Sequence, residues 1–209
     1  MDNLPTRHEG FNDWAAPGRW AMTATPAFRV TKTIALVGLM GAGKSSIGRR
    51  LAQRLGLPFI DADSEIEAAA DATIEEIFQR HGEAAFRDGE RRVIARILDS
   101  PIHVLATGGG AFMDASTRAL LRARAVTLWL RADIELMLAR VGRRGNRPLL
   151  KSGDPRAVLE QLMQQRYPIY AQADITVDSV DGPPEATVER VMAALARHLG
   201  AAGARQAAP

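Results

Sequence analysis

The chain has 209 residues, enough for one domain with a sizeable core. Its 27 basic and 24 acidic residues leave a formal charge of +3, and no basic stripe interleaved with aromatic residues points to nucleic-acid binding. The absence of cysteine excludes disulfides, thiolate metal sites and cysteine nucleophiles, and without a membrane-spanning run or a signal peptide we expect a cytoplasmic protein.

Both ends of the chain differ from its middle. We expect residues 1–31 to form a flexible N-terminal extension, because prolines and glycines interrupt it and it has no helical or strand periodicity. Its Trp14 and Trp20 are unusual in such a segment, and we expect weak docking on the domain or none. One domain is predicted over residues 32–199, followed by an Ala-rich tail at residues 200–209.

The segment 38–45 reads GLMGAGKS and fits the pattern G-x-x-x-x-G-K-[ST]. It follows the apolar run 33–37 and opens a segment with apolar residues at helical spacing. This context indicates a phosphate-binding loop rather than a Gly-rich turn before an ordinary helix. Glycines let backbone N–H groups curl round a polyphosphate at a helix N-terminus, while the lysine reaches the outer phosphates and the serine reaches Mg²⁺. The nucleotide-binding residues that we predict here are Gly41, Ala42, Gly43, Lys44, Ser45 and Ser46.

Short apolar runs alternate with helical segments along the rest of the domain. The runs predict five strands of a buried parallel sheet, at residues 33–37, 58–60, 103–106, 126–130 and 174–177. The helix signals are a capping box at 73–76, a long helix ending before Pro101, an N-cap at Asp154 with a stop before Pro168, and a last helix from about Pro184 to Gly200. The alternation predicts a single three-layer α/β/α domain with a five-stranded parallel sheet.

Two acids, Asp61 and Asp63, stand at the end of the second predicted strand. A spacing of two on an extended chain puts both carboxylates on one side. Because ligands of open α/β sheets bind at the carboxyl ends of the strands, both acids are expected to face the phosphate loop, one near Mg²⁺ and one near an acceptor hydroxyl. The alternative is that Asp63 only caps the helix that starts near Ser64.

The third predicted strand is followed by three glycines, Gly108, Gly109 and Gly110. Their backbone N–H groups suit a close anionic group, although a flexible turn explains them equally well.

Two arginines suggest a carboxylate ligand. Arg166 lies on the apolar face of its predicted helix, four residues beyond Leu162, where a buried guanidinium needs an anionic partner. Arg87 directly follows the apolar Phe86, so it is expected beside the apolar face of its own predicted helix. A planar guanidinium suits bidentate binding of a carboxylate, but for either arginine alone a structural ion pair or a snorkelling side chain is the favoured explanation.

A basic loop with glycine hinges follows at residues 142–150 and reads GRRGNRPLL. Runs of charge are usually solvated, but in a phosphotransferase such a loop fits a lid, here about residues 142–153, that closes over ATP and delivers an arginine to the transferring group.

Together these elements resemble the shikimate kinase family, which belongs to the nucleoside-monophosphate-kinase-like P-loop kinases. The order and spacing of the motifs agree across roughly residues 32–198, and the set is far more specific than any one motif. The segments that carry the resemblance are 38–49 (GLMGAGKSSIGR), 59–63 (FIDAD), 82–87 (GEAAFR), 106–111 (ATGGGA), 146–150 (NRPLL) and 166–170 (RYPIY).

The resemblance implies roles on the acceptor side of the site. Asp63 resembles the acid that contacts the shikimate ring hydroxyls and assists deprotonation of the attacking one. Arg87 and Arg166 match the positions that hold shikimate, chiefly its carboxylate. Gly109 matches the substrate-binding glycine, with Gly108 and Gly110 beside it.

The resemblance also implies roles on the nucleotide side. Lys44 is the phosphate-loop lysine, Ser45 the Mg²⁺ ligand, and Asp61 resembles the acid that holds Mg²⁺ through water. Arg147 matches the ATP-contacting lid arginine, and Arg140 resembles a neighbour of the adenine. The chain departs from the family where Ser46 replaces the usual threonine, in the variable lid residues 151–153, and in its N-terminal extension.

The activity that the resemblance implies is ATP-dependent phosphorylation of the shikimate 3-hydroxyl, in the chorismate route to aromatic amino acids, by a Mg²⁺-dependent monomer that binds neither nucleic acid nor membrane. A related small-molecule kinase such as gluconate kinase is the alternative, since gluconate also carries a carboxylate. A ligand-sensing regulator with a kinase-like domain is the other alternative, although residues 1–31 are too few and too irregular for a DNA-binding module.

Overall fold

The computed structural model describes residues 28–142 and 154–206, with the backbone alone at residues 141–142 and 201–206. Residues 1–27, which include Trp14 and Trp20, lie outside the described residues, as does most of the expected lid with Arg147.

A parallel sheet of five strands forms the centre of the domain, in the order β2-β3-β1-β4-β5. Every predicted strand is confirmed to within one residue at each end. β1, β3 and β4 are buried on both faces and form apolar runs, whereas β2 is partly buried and β5 alternates buried and exposed residues. The strands are β1 (Thr33–Val37), β2 (Phe59–Asp61), β3 (Val104–Ala106), β4 (Ala125–Arg131) and β5 (Ile175–Asp178).

Helices flank this sheet, which confirms the predicted α/β architecture. Helix α1 packs against β2, β3 and α7, while α4 packs against β4 and α3. The helices are α1 (Lys44–Leu55), α2 (Ala62–Ala70), α3 (Ile74–Leu98), α4 (Ala115–Arg124), α5 (Ile134–Gly142), α6 (Pro155–Tyr170) and α7 (Pro184–Gln206), with a 3-10 turn at Ala111–Met113. None of the helices in the described part of the chain is long and apolar enough to cross a membrane.

The strand order brings the ends of β1, β2 and β3 together at one edge of the sheet. β1 lies between β3 and β4, with Leu36 paired to Ala106 and Val37 to Trp129. Parallel pairing puts all carboxyl ends on the same side, so the loops that follow β1, β2 and β3 meet there. The site residues on these loops are therefore neighbours, although they are far apart in sequence.

Two helix ends differ from the sequence prediction. The predicted stop before Pro168 is wrong, because α6 continues to Tyr170 and the amide of Ala171 donates to the Tyr167 carbonyl at 2.9 Å. The proline costs about 3 kcal/mol in a helix interior, and burial of the Tyr170 ring in the same turn offsets it. The predicted end at Gly200 is also wrong. The Ala-rich segment beyond it continues α7 to Gln206, because alanines favour helix and Gly200 and Gly203 each cost only about 1 kcal/mol.

Candidate active site

The phosphate-binding loop joins β1 to α1 and depends on glycine. Gly38 has a φ of 138°, and a Cβ there would lie 2.6 Å from the carbonyl oxygen of Leu130. Gly43, with a φ of 101°, is the N-cap of α1 and provides no side chain to its first turn. The N–H groups at the start of α1 thus have no side-chain cap, which suits them to an anion.

Lys44 folds back over this loop. Its ammonium group donates to the carbonyl oxygens of Gly38 at 2.8 Å and Leu39 at 3.1 Å. These contacts hold the positive charge at the mouth of the loop, where the phosphate-loop motif predicts it.

Ser45 and Asp61 form the candidate Mg²⁺ site. The Ser45 hydroxyl donates to Asp61 Oδ2 at 2.6 Å, so α1 and the end of β2 are joined at this point. A hydroxyl beside a carboxylate is a hard-oxygen donor set, which Mg²⁺ prefers, completing its shell with water and phosphate. Residues 28–142 and 154–206 contain no cluster of three His, Cys, Asp or Glu side chains that could bind a metal on its own. This pair therefore fits Mg²⁺ bound together with a nucleotide.

The geometry predicted for Asp61 and Asp63 is wrong, although both acids lie at the site. β2 ends at Asp61 and α2 begins at Ala62, so Asp63 belongs to the first helical turn and not to an extended segment. The capping alternative for Asp63 is wrong too, since Asp61 is the N-cap and its Oδ1 accepts from the Asp63 amide at 3.2 Å. The helical turn moves Asp63 towards the triple-glycine loop, with its Oδ1 2.7 Å from where a Gly108 Cβ would lie.

Arg87 is held by two acids of α3, and sequence reasoning missed both. Its NH1 donates to Glu90 Oε2 at 2.6 Å and its NH2 to Glu83 Oε1 at 3.3 Å. Burial lowers the pKa of Arg87, but the hydrogen bonds and charges of these acids more than offset that effect and raise it. The structural ion pair considered for Arg87 is thus present. The guanidinium also lies against Gly110, on the acceptor side of the site.

Glu90 is buried beneath this arginine. Its side chain is 2% exposed, and its Oε1 has no hydrogen-bond partner among the described residues. Burial raises the pKa of Glu90, an effect that Arg87 partly opposes and that the charge of Asp63 reinforces. Its spacing of three residues from Arg87 on a helix was the sequence signal available for this contact.

The three glycines after β3 pack against the charged residues. Arg166 is half-buried, and its NH1 donates to the Gly109 carbonyl at 3.1 Å, so the inward orientation predicted for Arg166 is confirmed. Gly110 has ordinary backbone angles, but a Cβ there would lie 2.3 Å from Arg87 NH2. Space, and not backbone conformation, requires glycine at position 110.

Arg140 lies behind the phosphate loop. Its NH1 donates to the Ala42 carbonyl at 3.2 Å and to the Ser179 hydroxyl at 2.8 Å, and its NH2 donates to the Val180 carbonyl at 2.8 Å. Burial lowers the pKa of Arg140. The side chain thus ties the loop to the segment after β5, while its position beside the adenine stays a prediction.

One cavity of about 630 Å³ joins these groups, a size typical of small-molecule sites. It brings the phosphate loop and the acceptor-side residues to one space, with Phe78, Phe86 and Glu90 as lining residues that the sequence did not predict. The predicted residues that line it are Gly41, Gly43, Lys44, Ser45, Ser46, Asp63, Arg87, Gly108, Gly109, Gly110, Arg140 and Arg166. Ala42 and Asp61 are not among the lining residues, but each accepts a hydrogen bond from one of them. The Ala42 carbonyl accepts from Arg140, and Asp61 accepts from Ser45.

Comparison with known proteins finds the same family by sequence and by structure. The shikimate kinase family model matches residues 40–196. The shikimate kinase of Paramagnetospirillum magneticum is 61% identical over 171 residues, which are 82% of this chain and 88% of that protein. The shikimate kinase of Caulobacter vibrioides is 61% identical over 164 residues, covering 78% of this chain and 82% of that protein.

Solved structures agree with these matches. Shikimate kinase from Acinetobacter baumannii in complex with shikimate superposes with a TM-score of 0.74 at 40% identity, over 77% of this chain and 90% of that one. A gluconokinase from Sinorhizobium meliloti shares the fold, with a TM-score of 0.58 at 20% identity over 85% of this chain and 98% of that one. All the residues that line the cavity lie within the matched region 40–196, and the chain belongs to the shikimate kinase family.

Proposed function

We propose that this chain transfers the γ-phosphoryl group of ATP to the 3-hydroxyl of shikimate, giving shikimate 3-phosphate and ADP, in the chorismate route to aromatic amino acids. The observation that carries the proposal is the shared cavity. Lys44 of the phosphate loop lines it together with Asp63 and the two arginines, Arg87 and Arg166. A cavity that combines a phosphate-binding loop with two arginines able to bind a carboxylate suits a small hydroxylated acid as phosphoryl acceptor.

On the nucleotide side, the backbone N–H groups of residues 41–46 bind the polyphosphate of ATP, and Lys44 offsets the charge of its outer phosphates. Ser45 would hold Mg²⁺, with Asp61 as its second partner through water. Bound there, Mg²⁺ neutralises charge that develops on the transferring group. Arg140 keeps the loop in place from behind, at the adenine side. Arg147 contacts ATP from the lid.

On the acceptor side, Arg87 and Arg166 bind the shikimate carboxylate, and Gly109 with its two neighbouring glycines lets the ligand approach the backbone. Asp63 orients the 3-hydroxyl for in-line attack and accepts its proton. An acceptor without a carboxylate leaves two partly buried cations without that partner. Such an acceptor is therefore rejected more strongly than one that merely fits the space less well.

The proposal extends to the organisation of the chain. Residues 1–31 are an extension, and residues 32–199 carry the kinase domain with a lid at about 142–153. The tail proposed for residues 200–209 begins as a continuation of α7. The enzyme acts as a cytoplasmic monomer on small-molecule substrates, without a nucleic-acid or membrane partner.

A coupled ADP-release assay tests this function. Shikimate, gluconate and AMP are supplied singly and in competition at saturating MgATP, with Lys44→Ala as the inactive control. We expect kcat/KM for shikimate to exceed that for the other acceptors by at least about 10²-fold, because a site that hydrogen-bonds the hydroxyls of one acceptor leaves buried polar groups unpaired with another. Phosphorus NMR of the product identifies the 3-phosphate. Preference for gluconate would overturn the proposal in favour of a related kinase. Tight DNA binding without turnover would favour a regulator.

A further inference from the structure

Two side chains of α6 donate to one carbonyl oxygen of the triple-glycine loop. Arg166 NH1 donates to the Gly109 carbonyl at 3.1 Å, and the Tyr170 hydroxyl donates to the same oxygen. Arg166 and Tyr170 are four residues apart, so they lie on one face of the helix. The Gly109 peptide is therefore fixed by a pair of donors, of which only the arginine has an expected role in binding shikimate.

Tyr170 is held as a rigid donor. Its side chain is fully buried and its ring stacks on Phe112, with 6.4 Å between centroids, and lies 5.9 Å from Trp129. Burial raises the pKa of Tyr170 to about 12, so the phenol keeps its proton and can act as a donor at neutral pH. A hydroxyl placed in this way cannot exchange its partner for water without opening the core.

Gly109 lies where the two halves of the site meet. A Cβ on Gly109 would lie 3.6 Å from the Met40 amide nitrogen, 3.7 Å from the Gly38 carbonyl oxygen and 4.0 Å from Arg166 NH1. Its peptide thus packs on the phosphate loop on one side and on the acceptor arginine on the other. A shift of this peptide therefore changes the distance between the phosphate loop and Arg166.

We propose that Tyr170 is a positioning residue for the acceptor, an inference that depends on the proposed function. Its hydroxyl fixes the Gly109 carbonyl, and the fixed carbonyl holds one guanidinium nitrogen of Arg166 so that the remaining N–H groups keep their orientation towards the shikimate carboxylate. Without the hydroxyl, the carbonyl retains only Arg166 as donor, Arg166 loses its direct hydrogen bond with Tyr170, and the arginine moves with the loop. Binding of shikimate weakens while the ATP side is spared.

The chain provides a matched control. Tyr167 and Tyr170 are the only tyrosines in the sequence, and both belong to α6. Tyr167 also contacts Trp129, at 4.9 Å between centroids, and also donates its hydroxyl to a carbonyl, that of Ala132, away from the triple-glycine loop. Tyr170→Phe and Tyr167→Phe thus remove the same kind of hydrogen bond from the same helix, and only the first touches Gly109.

Steady-state kinetics of both variants, with thermal unfolding in parallel, test the proposal. We expect Tyr170→Phe to raise the KM for shikimate about fivefold, the value of one hydrogen bond, with kcat and the KM for ATP within about twofold of wild type. Tyr167→Phe leaves both KM values at wild type. In an Arg166→Ala background, Tyr170→Phe adds less than about twofold, because the two residues share one carbonyl and also hydrogen-bond directly to each other.

Each contrary outcome has a distinct meaning. An unchanged shikimate KM in Tyr170→Phe overturns the positioning role while the wild-type turnover of shikimate stands. Insoluble protein, or equal losses for shikimate and ATP, marks a purely structural tyrosine and overturns it as well. A wild-type enzyme that does not phosphorylate shikimate overturns the proposed function itself, together with this inference.

Discussion

Glu90 Oε2 lies 2.6 Å from Arg87 NH1, and the two partners differ sharply in exposure, with side chains that are 2% and 25% exposed. Glu90 is the buried partner, and the guanidinium of Arg87 lines the cavity. A buried carboxylate is costly unless it is paired, so Glu90 ties the position of Arg87 to the folded core.

Glu90 makes stability depend on pH, and Glu90→Gln removes this dependence. Burial raises the pKa of Glu90 in the folded state above its ordinary value of 4.5. Such an acid favours folding below the unfolded-state pKa, and this contribution is lost as the pH rises through the folded-state pKa. The unfolding temperature of Glu90→Gln minus that of wild type should therefore increase from about pH 4.5 towards neutral.

Thermal unfolding without ligands at several pH values measures this difference. Glu83→Gln is the control, because Glu83 pairs with the same arginine but its side chain is 70% exposed. We expect little change in unfolding temperature for that variant, since exposed pairs contribute little. If the unfolding temperature of Glu90→Gln minus that of wild type falls as the pH rises, the assignment of Glu90 as a buried acid is contradicted.

Gly110→Ala should impair shikimate binding without unfolding the protein. The new Cβ would lie 2.3 Å from Arg87 NH2, and because the guanidinium ends a flexible side chain, it moves and the backbone stays. A displaced binding group of this kind raises the shikimate KM by about 10-fold to 10²-fold. Kinetics with varied shikimate at fixed ATP measure the effect.

Gly89→Ala is the matched control for this substitution. Gly89 belongs to α3, and a Cβ there would meet nothing within 4 Å. We expect this variant to keep wild-type kinetics and to gain about 0.5–1 kcal/mol of stability from its helix propensity. Equal kinetic constants for the two alanine variants would mean that Gly110 has no part in placing Arg87.

Local signals explain what the sequence predicted. The phosphate loop at residues 38–45 could be predicted from local sequence, because the glycines that define the motif are the same residues that allow the loop to curl. The central strands could be found because burial on both faces leaves mainly apolar residues, as in β1, β3 and β4. The meeting of the loops after β1, β2 and β3 follows from parallel pairing, which the strand–helix alternation already implied.

Tertiary contacts explain what the sequence did not predict. Glu90 lies in a charged stretch of α3, where an acid is normally solvated, and it is buried by tertiary packing that includes the triple-glycine loop. Asp63 was expected on an extended segment because nothing local shows that β2 ends at Asp61. Pro168 normally ends a helix, and the contacts of Tyr170 with a distant strand and turn overrode that local preference.

Arg166→Ala should raise the shikimate KM far more than the ATP KM, by about 10²-fold, because one carboxylate partner is lost in a partly buried setting. Arg156→Ala is the control on the same helix, since Arg156 pairs with Glu135 at the surface and should be neutral. Initial rates with each substrate varied in turn separate the two constants. A defect confined to ATP would place Arg166 on the nucleotide side of the site.

Asp63→Asn should lower kcat by about 10²-fold or more if the carboxylate orients the attacking hydroxyl and takes its proton. Asparagine keeps the size of the side chain beside Gly108 but cannot accept a proton. Glu65→Gln is the control in the same first turn of α2, because Glu65 forms an exposed pair with Arg96 and should keep wild-type kcat. Single-turnover measurements separate chemistry from product release. A near-normal rate of phosphoryl transfer in Asp63→Asn would leave this acid with a binding role only.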